Sequence, residues 1–176
     1  MIRRFFCAIL AIVCLLGASA RAADYSNLIR LHVVAEGDSR AAQDLKLALR
    51  DVCLRCAEVC IGDADNPDEA YRRLNLHLDD FRRACAQRAA ELGCGAQITA
   101  ETGIFSFPDR VYGDVLVPAG EYRALRITVG EGRGHNWWCV LYPGLCMLDE
   151  GDYAGSDTVY YSKILRWIGD KIGGLR

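Results

Sequence analysis

The sequence predicts an α+β domain in two layers, a mixed or antiparallel sheet with about three helices, and three observations carry that expectation. A stretch near the amino end alternates apolar and polar residues, as a half-buried strand does. Two long stretches follow with apolar residues at steps of three and four, the spacing of a helix with one buried face. From Gly95 onward, short alternating runs separated by turn residues read as several more strands, closed by a last amphipathic stretch. At 176 residues the chain has room for one domain with a core large enough to be stable alone.

Arg3 and Arg4 precede an apolar run from Phe5 to Leu16, then Gly17 and the small residues Ala18, Ser19 and Ala20. These are the three parts of a secretory signal, and the apolar run is shorter than the roughly 20 residues that span a bilayer. We read residues 1–22 as a signal peptide cut after Ala20 or Ala22, and residues 23–176 as a single extracytoplasmic domain; an uncleaved anchor would export the domain equally. The strand is Leu28 to Ala35, running into the turn Gly37-Asp38-Ser39. Ser39 caps a helix whose stripe is Leu45, Leu49, Val52, Cys53, Cys56, Val59 and Cys60, ending at Gly62.

Asn66, Pro67 and Glu69 are a cap, a first-turn proline and the third residue of a capping box, so they open a second helix. Its stripe is Tyr71, Leu74, Leu78, Phe81, Cys85 and Leu92, and Gly93 stops it. The charged residues opposite form a solvated face. Strands are then expected at Ala96 to Ala100, Gly103 to Phe107, Glu121 to Val129 and Trp137 to Leu141, with Pro118-Ala119-Gly120 as a turn. A last helix is expected from Thr158 to Ile172.

With 21 basic and 23 acidic residues the chain has a net charge of −2, and losing Arg3 and Arg4 with the leader makes the exported part more acidic. No basic block appears, which argues against nucleic acid or anionic lipid as partners. Of nine cysteines, Cys7 and Cys14 lie in the leader, and the odd number remaining leaves at least one free or paired with another chain.

The stretch GEGRGHNWWCVLYPGLC, residues 130–146, is the most unusual in the chain. Its GxGxG spacing lacks the third glycine of a dinucleotide site and the Lys-Ser/Thr of a phosphate loop, so the glycines read as a tight loop after a strand. His135, Cys139 and Cys146 are conceivable zinc ligands, but only Cys53 and Cys56 have the paired spacing of a structural site, and they fall on an apolar helix stripe. No metal or other cofactor is expected. Cys139 with His135 would be a nucleophile and base, making an extracytoplasmic cysteine hydrolase or transpeptidase the alternative function. A disulfide between Cys139 and Cys146 across the Pro143-Gly144 turn accounts for the cysteines better, and it would hold a loop presenting Gly134, Asn136, Trp137 and Trp138 to a partner. The two tryptophans read equally well as core. No Asp-Thr/Ser-Gly, HExxH or GxSxG motif is present, and no catalytic residue is assigned.

These motifs make a resemblance specific. Ile29-Arg-Leu-His-Val-Val-Ala35 with Asp38-Ser39, Leu45-Lys-Leu47 with Arg50-Asp51, Phe107-Pro108 with Tyr112-Gly113, Pro118-Ala-Gly-Glu-Tyr-Arg-Ala-Leu-Arg126 and Gly130 through Cys146 resemble stage II sporulation protein R over nearly all of the exported domain. The chain departs from that family at Gly144, where a second proline is usual, and at Cys53, Cys56 and Cys60. The resemblance implies a signal rather than an enzyme: a protein secreted by the forespore into the space between the septal membranes. There it triggers a membrane-embedded aspartic protease of the mother cell, and that protease cleaves a sigma-factor precursor.

Overall fold

The computed structural model describes residue 25 and residues 27–112 and 115–143. The expected leader, the carboxyl-terminal helix and Cys146 lie outside the described residues. The described residues form six strands and three helices in the order β1 (Ile29–Val34), α1 (Arg40–Ile61), α2 (Pro67–Leu76), α3 (Leu78–Glu91), β2 (Ile98–Phe107), β3 (Arg110–Tyr112), β4 (Val115–Val117), β5 (Gly120–Val129) and β6 (Asn136–Tyr142). The fold is α+β, with a mixed four-stranded sheet in the order β2-β5-β1-β6 and a separate ribbon of β3 and β4. β1 runs parallel to β5 and antiparallel to β6, while β2 and β5 pair antiparallel along their whole length, from Ile98 opposite Val129 to Phe107 opposite Gly120.

Both expected helix starts are present. The Ser39 hydroxyl accepts from Ala42 N at 3.2 Å, and Asn66 Oδ1 accepts from Glu69 N at 2.9 Å, so each satisfies an amide that the first turn leaves unpaired. The stripe of α1 is shifted from the expected one at its end: Ala57 and Ile61 are inside, whereas Val59 is 86% exposed. The second helix is two. His77 leaves helical geometry (φ −101°, ψ 11°) and starts α3 with its own carbonyl accepting from Asp80 N and Phe81 N. Just before the break, the Asn75 side chain donates to Tyr71 O, and its Oδ1 accepts from Thr102 of β2. Among the described residues, no helix is long and apolar enough to cross a membrane.

Two cores lie on the two faces of the sheet. On one face Ile29, Leu31, Val33, Leu125, Ile127 and Val129 pack against Leu49, Val52, Leu74 and Phe81 of the helices. Each fully buried aliphatic side chain there contributes about 1.5–3 kcal/mol. On the other face Phe107, Tyr112, Val117, Tyr122 and Val140 form a smaller cluster beneath the β3–β4 ribbon. Strand alternation decides which residues go where: Ile29, Leu31 and Val33 face the helices, so Arg30 and His32 face the ribbon.

Candidate functional site

The loop between β5 and β6 is built to be rigid. Gly134 N donates to Ala35 O at 2.9 Å, and Asp38 Oδ1 accepts from His135 N at 2.7 Å and meets His135 Nδ1 at 2.6 Å. These contacts, the backbone one first, hold the Asp38 carboxyl below its ordinary range. A Cβ at Gly134 would stand 2.5 Å from the Gly37 carbonyl carbon, so only glycine lets the two loops touch. Gly132, at φ 63°, occupies the left-handed region that favours glycine.

The adjacent tryptophans diverge because β6 is a strand and neighbours in a strand point to opposite faces. Trp137, opposite Val33, is 3% exposed in the helix-side core with the Arg50 guanidinium 4.5 Å from its ring. The expectation that its ring is presented to a partner is therefore corrected. Trp138, opposite His32, lies half-buried on the ribbon side, stacked on the imidazole at 5.7 Å and 21°, with Arg110 of β3 4.3 Å from its ring. Asn136 is half-buried on that same side, and its Oδ1 has no hydrogen-bond partner among the described residues. Of the four residues expected to meet a partner, Trp138 and Asn136 thus share a face, Gly134 serves the loop contact, and Trp137 belongs to the core.

Behind Trp138 lies a group that the sequence reading missed. Arg30 is fully buried; its Nη2 donates to Tyr112 Oη at 2.6 Å, and its guanidinium sits 4.2 Å from the Phe107 ring and 5.1 Å from that of Tyr122. Its Nε and Nη1 have no hydrogen-bond partner, and no carboxylate pairs with it among the described residues. The aromatic faces supply what negative potential it has.

His32 shares that setting. Among the described residues neither ring nitrogen makes a well-formed hydrogen bond, although the Asn136 side chain lies close enough to act on the ring. Burial pushes the imidazole below its ordinary value, Asn136 pulls the other way, and the Arg126 and Arg30 charges add to the drop. The unfolded chain therefore binds a proton more readily than the folded one, and this residue's contribution to stability is lost as pH falls below about 6.5, the unperturbed value, toward the folded one. Urea melts should show stability declining from pH 7 toward pH 5 more steeply in the unaltered protein than in His32→Phe. Equal slopes would mean that His32 is not held neutral.

Cys139, opposite Leu31, is completely buried in the helix-side core with a free thiol, while His135 is exposed in the loop with its ring on Asp38. The structure does not bring the two together, so the alternative pairing of Cys139 and His135 as nucleophile and base has no geometric basis here. The expected disulfide from Cys139 to Cys146 likewise finds no support, because the Cys139 thiol points into packed core; Cys146 itself is outside the described residues. Of the helix cysteines, Cys53 and Cys85 are completely buried, while Cys56 and Cys60 are half-buried against the same core. Cys53 and Cys85 touch across α1 and α3 at 3.6 Å between sulfurs, contact and burial raise Cys53 well above the ordinary thiol range, and burial pushes Cys60 up to about 11. Among the described residues, no three His, Cys, Asp or Glu side chains converge as metal ligands.

Comparison with known proteins bears directly on this arrangement. Residues 25–152 match the stage II sporulation protein R family. The chain is 37% identical over 121 residues to the stage II sporulation protein R of Bacillus subtilis (strain 168), an alignment that covers 69% of this chain and 54% of that relative. The chain thus spans about half the length of the relative. No solved structure matches it. A match that runs from before β1 to beyond β6, and so takes in the buried arginine, the rigid loop and both tryptophans, places the chain in the stage II sporulation protein R family, a family of sporulation proteins.

Proposed function

We propose that the protein is an exported signal of endospore formation. It is made in the forespore and passed into the space between the septal membranes. There it binds the extracellular part of a membrane-embedded aspartic protease of the mother cell, which then cleaves a sigma-factor precursor. The observation that carries this reading is family membership across residues 25–152. The half-exposed Trp138 with Arg110 above it, beside a loop locked by Gly134 and Asp38, supports a binding role, because aromatic and arginine side chains on a rigid frame concentrate interface energy.

The test is co-expression of this protein with the cognate protease and a tagged precursor, in a host lacking the pathway, scored by precursor cleavage. Trp138→Ala should reduce cleavage at least tenfold, equivalent to about 1.4 kcal/mol of binding or more, while the exported protein keeps its melting temperature within a few degrees. Unchanged cleavage would remove Trp138 from the contact surface. Trp137→Ala is the contrast: it empties a core site at a cost of about 3–5 kcal/mol, so any loss of cleavage there should come with loss of the folded protein.

A further inference from the structure

We infer that the patch formed by Arg110, Trp138 and His32 receives an acidic segment of a protein partner, a run of Asp or Glu side chains. The inference rests on the signalling reading above and adds the chemistry of the surface. Arg110 is half-buried with its guanidinium 4.3 Å from the Trp138 ring, and its one hydrogen bond among the described residues goes to the carbonyl of its neighbour Asp109 at 3.3 Å. No carboxylate lies within ion-pair distance of it among the described residues. Arg73, Arg82, Arg83, Arg88 and Arg123, by contrast, each hold an Asp or Glu.

Beneath this guanidinium, which has no carboxylate partner among the described residues, the same face carries two more groups with unmet hydrogen-bonding capacity. Among the described residues Arg30 has Nε and Nη1 without a partner, and neither nitrogen of His32, whose ring stacks on Trp138, makes a well-formed hydrogen bond. On a chain whose net charge is −2, this gathers uncompensated donors and positive charge at one place. A carboxylate arriving over Trp138 would take a charge-assisted, bidentate pair from the Arg110 fork and would lie in the field of Arg30. The indole holds the fork in place beforehand, so less side-chain freedom is lost on binding. An anionic lipid surface is the poorer occupant. Lipid recognition draws on clusters of about four to eight basic residues, and here the accessible arginines of this face among the described residues are few, Arg126 already being paired with Glu101.

Arg110→Glu in the co-expression assay is the decisive variant, with circular dichroism of the exported protein as the check on folding. Cleavage at least tenfold below that of the unaltered protein, at an unchanged melting temperature, supports the inference. Cleavage at the normal level overturns it and leaves the signalling reading standing. If the unaltered protein elicits no cleavage, the signalling reading fails, and the surface is judged alone by following the Trp138 indole resonance during titration with a hexaglutamate or a hexaglutamine peptide. A shift with hexaglutamate alone that disappears in Arg110→Glu supports an acidic partner. Equal responses to both peptides, or to neither, overturn it. Arg110→Glu in the ribbon could instead unfold the protein; the same peptide titration on Arg110→Gln then decides. Arg110-dependent sedimentation with phosphatidylglycerol vesicles, without any effect of Arg110→Glu on cleavage, would assign the patch to lipid and overturn the inference.

Discussion

Gly134→Ala is expected to cost about 2–3 kcal/mol, because a new methyl group would press on backbone that cannot step aside. For a domain of this size that lowers the melting temperature by about 8 °C. The added carbon would stand 2.8 Å from Gly37 Cα and closer still to the Gly37 carbonyl, so the loops after β1 and β5 would have to separate. Separation would lengthen the Gly134 to Ala35 hydrogen bond and pull His135 from Asp38. Gly37 lies on the other side of the same contact, yet a Cβ there meets nothing within 4 Å. Gly37→Ala should accordingly leave the melting temperature within about 2 °C, as a substitution away from any packing or cap does. Thermal melts of the two variants by circular dichroism check this. Equal shifts would mean that the loops are not locked by close approach, and the rigidity of the site would need another origin.

The parts of the fold that could be read in the sequence are those whose signals are local. Ser39 and the Asn66-Pro67-Glu69 group satisfy helix-start amides within three residues of themselves, so both starts stand where the sequence places them. The strand Leu28 to Ala35 was equally legible, but the meaning of its polar positions was not. Arg30 and His32 alternate with apolar residues as a solvent face would, and what covers them is the β3–β4 ribbon, whose two strands have three residues each. Three residues are too few for periodicity to register, and a guanidinium over Phe107 and Tyr122 joins positions more than 70 apart that no spacing rule connects. The break at His77 was hidden for a similar reason, since neither glycine nor proline marks it. The orientation of the tryptophans, by contrast, was available: once Trp137 to Leu141 is read as a strand, the two rings cannot share a face.

Arg30 should separate the space a side chain fills from the charge it carries. Arg30→Ala removes a fully buried side chain from among Phe107, Tyr112 and Tyr122 and strips Tyr112 of its 2.6 Å partner, so a cost of about 3–4 kcal/mol is expected, in the range of large core truncations. Arg30→Met restores most of the aliphatic volume and gives up the cation–aromatic contacts, worth roughly 0.5–2 kcal/mol each. It also removes a buried charge that has no carboxylate partner among the described residues, and replacing buried ionic groups with apolar ones of similar size is often neutral or stabilising by about 1–4 kcal/mol. The two effects nearly cancel, so Arg30→Met should lie within about 1 kcal/mol of the unaltered protein in urea denaturation, well above Arg30→Ala. If methionine is as damaging as alanine, the cation itself holds the ribbon against the sheet. Arg30 would then be a structural clasp, and the aromatic cage, rather than the filled volume, would be what keeps Arg110 poised over Trp138.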